Sequence, residues 1–168
     1  MINSEPYVVK AILNKNGYID VHLRGHCMEP FLVNGDVVRI KAIDSSQIIP
    51  GNLCLIKLDN ETLAIHRVIQ IKNDMFVTKG DYSGFAEKCY ADQMLGITYS
   101  VKLNSCNSWC SYDSASFQAR LSAFLSAKLV KDKETKFHDL KHKNCKKLAY
   151  KWGLHCRKKL LCIPQQIV

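Results

Sequence analysis

Two side chains stand where covalent chemistry could be done. Cys27 lies in Gly25-His26-Cys27-Met28-Glu29-Pro30, and His66 lies in Ala64-Ile65-His66-Arg67-Val68-Ile69. The thiolate is the reactive form of cysteine, and a neighbouring imidazole stabilises it. Cysteine–histidine pairs carry acyl transfer, usually with a third polar group orienting the ring. Two further fragments keep the same chain order, Asn-Gly-Asp-Val-Val at 34–38 and Thr-Lys-Gly-Asp at 78–81. Each feature also has a plain structural reading. A cysteine in an apolar β context is commonly a small buried hydrophobe. A lone strand histidine is commonly a satisfied core residue, and Gly35, Asp36, Gly51 and Gly80 suit turns. His138, His142 and Cys145 share a helical face, with Cys106 and Cys110 upstream. These ligand types suit zinc, but the cysteine pair lacks the two-residue knuckle and lysines surround the histidines. Neither a metal nor another cofactor is therefore expected.

The elements that must position these groups are legible in the periodicity. Residues 4–15 read as a helix, with Ser4 as cap, Pro6 in the first turn and Asn16-Gly17 at the end. Residues 18–24 alternate as a strand. Short β-rich runs then follow: "DVVRIKAI", "NLCLIKL", "LAIHRVIQI", "MFVTKG" and "GITYSVKL". Turn residues such as Asn34-Gly35-Asp36 and Pro50-Gly51-Asn52 separate them. This pattern predicts a small, mainly β fold with coiled corners. Beyond residue 103 a polar linker leads to two helical stretches, about 114–130 and 135–162. The first places Phe117, Leu121, Phe124, Leu125 and Leu129 on one side; the second repeats Phe137, Leu140, Leu148, Trp152 and Leu160. The expected organisation is a domain over 1–103 and a basic helical extension over 104–168.

The four ordered fragments resemble the S24/S26 serine peptidases, the group that holds signal peptidases and LexA-type self-cleaving repressors. The resemblance covers residues 20–103. His66-Arg67-Val68 with Thr78-Lys79-Gly80-Asp81 is similar to the signal peptidases that use a histidine base, whereas Gly25 is closer to the LexA box. The resemblance implies the coiled β fold of that family and limited proteolysis of a peptide or precursor, of the kind that processes signal or leader peptides. It puts Cys27 where the family keeps its serine nucleophile. It further implies His66 as general base and Asp81 as the group orienting His66, with the backbone N–H of Cys27 at the oxyanion. Gly25, which cannot supply the hydroxyl donor the family often has there, His26, Met28 and Pro30 would shape the site. The alternative is a peptidase-like protein that has stopped cutting and binds a peptide or partner in the same groove.

The bulk numbers set bounds on partners. The chain has 168 residues and a formal net charge of +9. Between Lys128 and Lys159 there are twelve lysines and arginines against three acids, so the remaining chain is neutral. A basic helical face of this kind is most simply a solvated surface. It also suits peripheral contact with an anionic membrane or an exporter. Nucleic acid is disfavoured, because no helix-turn-helix pattern precedes the peptidase-like region. No apolar run has the length needed to span a bilayer, and the first residues lack a basic-then-apolar leader pattern. The expectation is a cytoplasmic protein with its eight cysteines reduced.

Overall fold

A computed structural model of the chain describes residues 6–59, 62–106, 108–130 and 139–161. Among these residues eight strands pair antiparallel in one sheet. They are β1 (Tyr18–His22), β2 (Val37–Lys41), β3 (Leu53–Lys57), β4 (Leu63–Lys72), β5 (Met75–Lys79), β6 (Glu87–Cys89), β7 (Met94–Lys102) and β8 (Trp109–Ser111). Their spatial order is β1-β2-β7-β3-β4-β5-β6, and β8 pairs with β7. Among the described residues three helices accompany the sheet: α1 (Pro6–Asn16), α2 (Phe117–Ala127) and α3 (Asp139–Leu161). The expected mainly β class is what the chain adopts.

The central strand shows why the sheet has two cores. Leu53, Cys54, Leu55 and Ile56 of β3 are all buried. Successive strand residues point to opposite faces. Leu53 and Leu55 therefore pack with Val38, Ile40, Leu63, Ile65, Val101 and Leu103 under α1. Cys54 and Ile56 join Val68, Phe76, Cys89 and Met94 on the other face. A continuous apolar run is thus the mark of a strand covered on both sides.

Two strands escape the periodicity argument. β6 and β8 have three residues each, too few to display a period. β8 lies in the stretch that reads as a polar linker, yet Cys110 is buried in the first core. The sheet therefore continues past residue 103, where the expected first domain ends.

The helices turn different faces inward than bulk hydrophobicity suggests. In α2 and the turn after it, Ala119, Ala123, Ser126 and Leu129 are buried, while Phe124 is exposed. In α3, Gly153 and Cys156 are buried and Leu148 is exposed. Small residues face inward because these helices run close to the backbone beneath them. A Cβ on Gly153 would lie 2.7 Å from the Pro30 ring. Trp152 Nε1 donates to Ser122 Oγ at 3.2 Å, joining α3 to α2. Phe137 lies outside the described residues. No helix among the described residues is long and apolar enough to cross a membrane.

Arg157 belongs to the fold rather than to the open cationic surface. Its guanidinium donates to both carboxylate oxygens of Asp36 and to the Phe31 carbonyl. Asp36 is fully buried and also accepts from the backbone N–H groups of Val33 and Asn104. A buried carboxylate needs such partners, because desolvation costs several kcal/mol when it is left unpaired. Arg157→Met should therefore lower stability by about 3 kcal/mol, read as a shifted denaturant midpoint. An unchanged midpoint would mean that α3 does not brace the Phe31–Asp36 turn.

Candidate active site

The site forms where three chain segments meet at one end of β4. The first is the turn after β1, which carries Cys27. The second is β4 itself, with His66 between Ile65 and Arg67. The third runs from the end of β5 through Gly80 and Asp81 to β6. Cys27 is exposed, and its Sγ lies 3.9 Å from the Ile65 carbonyl oxygen. It is held from beneath by the third segment. Tyr82 N–H donates to the Cys27 carbonyl at 2.9 Å. A Cβ on Gly80 would come within 2.7 Å of the same carbonyl oxygen. Position 80 must therefore lack a side chain for the Cys27 backbone to sit where it does, which gives the Gly-Asp fragment a steric reason.

His66 is 5% exposed. Burial alone lowers a histidine pKa, since it disfavours the charged ring. Here hydrogen bonding and charge from Cys27 and Glu87 outweigh burial, and the pKa rises to about 9. Nδ1 lies 3.1 Å from Glu87 Oε2, an ion-pair distance. Among the described residues neither atom has a well-aligned hydrogen-bond partner. Nε2 is left as the nitrogen for the thiol.

Asp81 takes a different place from the one the resemblance implies. Its two oxygens accept from Arg67 Nε and the Arg67 NH2 group at 2.9 and 2.7 Å. His66 and Arg67 are neighbours on a strand, so their side chains leave opposite faces of the sheet. An acid gripping Arg67 therefore stands on the wrong face to orient His66. Glu87 is on the right one: it is paired with Thr78, which is paired with Val68, two residues along β4 from His66. Sequence reasoning passed over Glu87 because β6 is too short to show a pattern. The available signal was an acid a few residues after the Gly-Asp turn, on a strand returning beside β5.

The other site residues are divided. Gly25, Cys27, Met28 and His66 line one cleft with Leu23, Leu32, Leu63 and Ile65. Pro30 instead packs beneath α3, against Gly153. His26 turns outward, with Nδ1 2.6 Å from Glu29 Oε1. Lys79 is fully buried beside the site, where it donates to the Gly80 and Asp81 carbonyls and to Ser126 Oγ of α2. Burial, only partly offset by Asp81 and Glu87, lowers its pKa to about 8. Among the described residues no group of histidine, cysteine and acidic side chains could hold a metal ion. His138 and the side chains of His142 and Cys145 lie outside that description.

The cleft has an unusual wall. β5 pairs with β4 only from Arg67 onward, so Leu63 to His66 have β3 on one side and the Cys27 turn on the other. Leu58 N–H donates to the Thr62 carbonyl on the β3 side. Backbone groups alternate in direction along a strand. Leu63 and Ile65 therefore present their N–H and C=O groups toward the cleft.

Two outcomes are expected from this geometry. Gly80→Ala should cost about 1–3 kcal/mol from overpacking and slow Cys27 alkylation by iodoacetamide. Normal stability and reactivity would show that the Gly80 contact does not set the Cys27 position. The second concerns pH. The His66 pKa lies above its ordinary 6.5 in the folded state, so the folded chain binds the extra proton between 6.5 and about 9. The stabilisation is complete below 6.5 and is lost as pH rises through about 9. Lys79 acts oppositely above about 8, because its lowered pKa makes stability rise with pH there. Thermal melts should therefore show stability falling between pH 6.5 and 8, and a flatter profile in His66→Asn. Parallel profiles would exclude a charged His66. Compared with models of protein families, with curated proteins and with solved structures, the chain matches none.

Proposed function

We propose that the protein is a thiol peptidase of S24/S26 type that makes limited cuts in a peptide or precursor. The observation that supports this most strongly is the meeting of an exposed cysteine and a buried histidine beside a stretch of β4, Leu63 to Ile65, that no described strand pairs on the cleft side. An extended segment can add to the Leu63–Ile65 edge by main-chain hydrogen bonds, as in β-augmentation. That pairing brings a backbone carbonyl past Cys27 and drops alternate side chains into the cleft of Leu23, Met28, Leu32 and Leu63.

The chemistry follows from the charge on the ring. With its pKa raised to about 9, His66 is an imidazolium near neutral pH, and a cationic ring is the kind of neighbour that turns a thiol into a thiolate nucleophile. The thiolate sulfur attacks the carbonyl carbon, and a C–S bond forms while the carbonyl oxygen takes negative charge. The Cys27 N–H is the donor available to that oxygen. The C–N bond then breaks, and the His66 proton passes to the leaving amine. Neutral His66 next takes a proton from water, whose oxygen attacks the thioester. The acid leaves, and the thiolate–imidazolium pair is restored. The exposed Lys147, Lys151 and Lys158 on α3 suit work close to an anionic membrane surface.

Digestion of a mixed peptide library, read by mass spectrometry, tests this proposal. Wild-type protein should yield discrete cuts, and Cys27→Ala should lose at least about 10³-fold in rate. Cleavage that survives Cys27→Ala overturns the peptidase reading. Peptides retained without cleavage would support the alternative, a binding protein that keeps the groove.

A further inference from the structure

We infer that the cavity between α2, α3 and the segment after β8 binds a small aromatic zwitterion of amino-acid type. This cavity shares no lining residue with the Cys27 cleft, so the site is independent of the peptidase reading.

Small side chains create the space. Ala119 and Ser122 of α2 and Cys156 of α3 border a volume of about 390 Å³. None of the three is long enough to fill it, and packed interiors seldom leave a void larger than a water molecule. The volume falls in the range of roughly 300–1,000 Å³ typical of ligand pockets. Two rings supply an apolar wall. Phe31 and Tyr112 stand 5.8 Å apart at 52°, and both line the cavity. The Arg67 guanidinium, also on the lining, lies 5.3 Å from the Phe31 ring centre. Asp81 balances its charge, so this wall is close to neutral. Tilted rings of this kind accept a further aromatic ring in an edge-to-face or offset contact.

The remaining lining carries charge of both signs. Lys159 comes from α3 and Asp113 from the segment after β8, and both are exposed. Among the described residues neither has an ion-pair partner. Asp113 Oδ1 accepts from the Ala115 N–H at 2.9 Å, which leaves Oδ2 for a ligand. The start of α2 belongs to the same site. Ser116 caps this 11-residue helix by accepting from the Ala119 N–H, and no acid stands in the first turn. The first N–H groups of a helix have no partner within it, and together with the helix dipole they favour a carboxylate. Gln118 of that turn lines the cavity. An α-amino acid carries its two charges on one carbon. Its carboxylate suits the helix start and Lys159, its ammonium suits Asp113, and its ring suits the Phe31–Tyr112 wall. A purely anionic ligand would set its charge against Asp113, and a purely cationic one would meet Lys159 and the helix dipole.

Calorimetric titration of the full chain with L-tryptophan, L-tyrosine and L-phenylalanine tests this. At least one should bind with one-to-one stoichiometry and a Kd between about 10 μM and 1 mM, the range open to a ligand of that size. The same compound without its carboxylate, or without its ammonium, should bind at least about fivefold more weakly. Lys159→Gln and Asp113→Asn alter exposed positions. Each should weaken binding by about fivefold or more and leave the melting temperature of the unliganded chain in place. No heat of binding from any of the three amino acids up to about 10 mM overturns the inference. Binding that both variants leave unchanged also overturns it, as does equal affinity for the singly charged analogues. Because no peptide is cut in these titrations, failure of the peptidase reading leaves the result untouched.

Discussion

The buried guanidinium of Arg67 is the interaction on which the surrounding structure depends. Arg67 is almost wholly buried and holds Asp81 through two parallel hydrogen bonds. Its remaining terminal nitrogen donates to the Gly51 carbonyl and the Tyr112 hydroxyl, and that hydroxyl in turn donates to Gly51. The Phe31 ring lies under the guanidinium. A cation in the interior is tolerated only when every donor is satisfied, since losing one partner of a buried pair costs about 3–5 kcal/mol. Burial opposes the charge, but Asp81 and Tyr112 outweigh it and hold the guanidinium charged. The same burial pushes the Tyr112 hydroxyl up to about 12, so it remains a donor. One side chain thus joins the Gly51 turn, the segment after β8, the Phe31 turn and the Gly80–Asp81 corner.

That junction sets the site without taking part in its chemistry. Asp81, drawn to Arg67, fixes the path of the chain after β5. The path places Gly80 under the Cys27 carbonyl and lets Tyr82 N–H reach it. Arg157 acts likewise from α3, because its bonds to Asp36 and the Phe31 carbonyl hold the other end of the same turn. The thiol is therefore carried on a loop braced at both ends by buried ion pairs. A braced loop suits the nucleophile proposed for Cys27, since small displacements of reacting groups cost large factors in rate. The basic C-terminal helix, which composition alone presents as a solvated appendage, supplies one of the two braces.

Much of this was legible in the residues. Alternation in "YIDVHLR" and the apolar runs around Leu53 and Ile65 marked strands, and Asn34-Gly35-Asp36 and Pro50-Gly51-Asn52 marked turns. Cys27, His66 and the Gly80-Asp81 corner could be picked out as one constellation, and they do lie together. Other features had no local signal. A three-residue strand has no period, so β6 and β8 were invisible. The inward faces of α2 and α3 are lined by Ala119, Ala123, Gly153 and Cys156 because those helices approach closely, and close approach is a property of the partner surface.

The sequence by itself determined the mainly β class, the order of the longer strands along the chain and the residue types from which nucleophilic chemistry could be proposed. These depend on short-range rules, namely side-chain alternation, turn chemistry and the reactivity of a thiol beside an imidazole. Only the tertiary structure decided which acid serves which base. His66 and Arg67 are adjacent in the chain and opposed in space, so Asp81 and Glu87 compete for them according to the face each reaches. That choice is made by the pairing of β4, β5 and β6 and by the cost of burying Arg67 without a counter-ion. Neither is encoded in the spacing of the residues concerned.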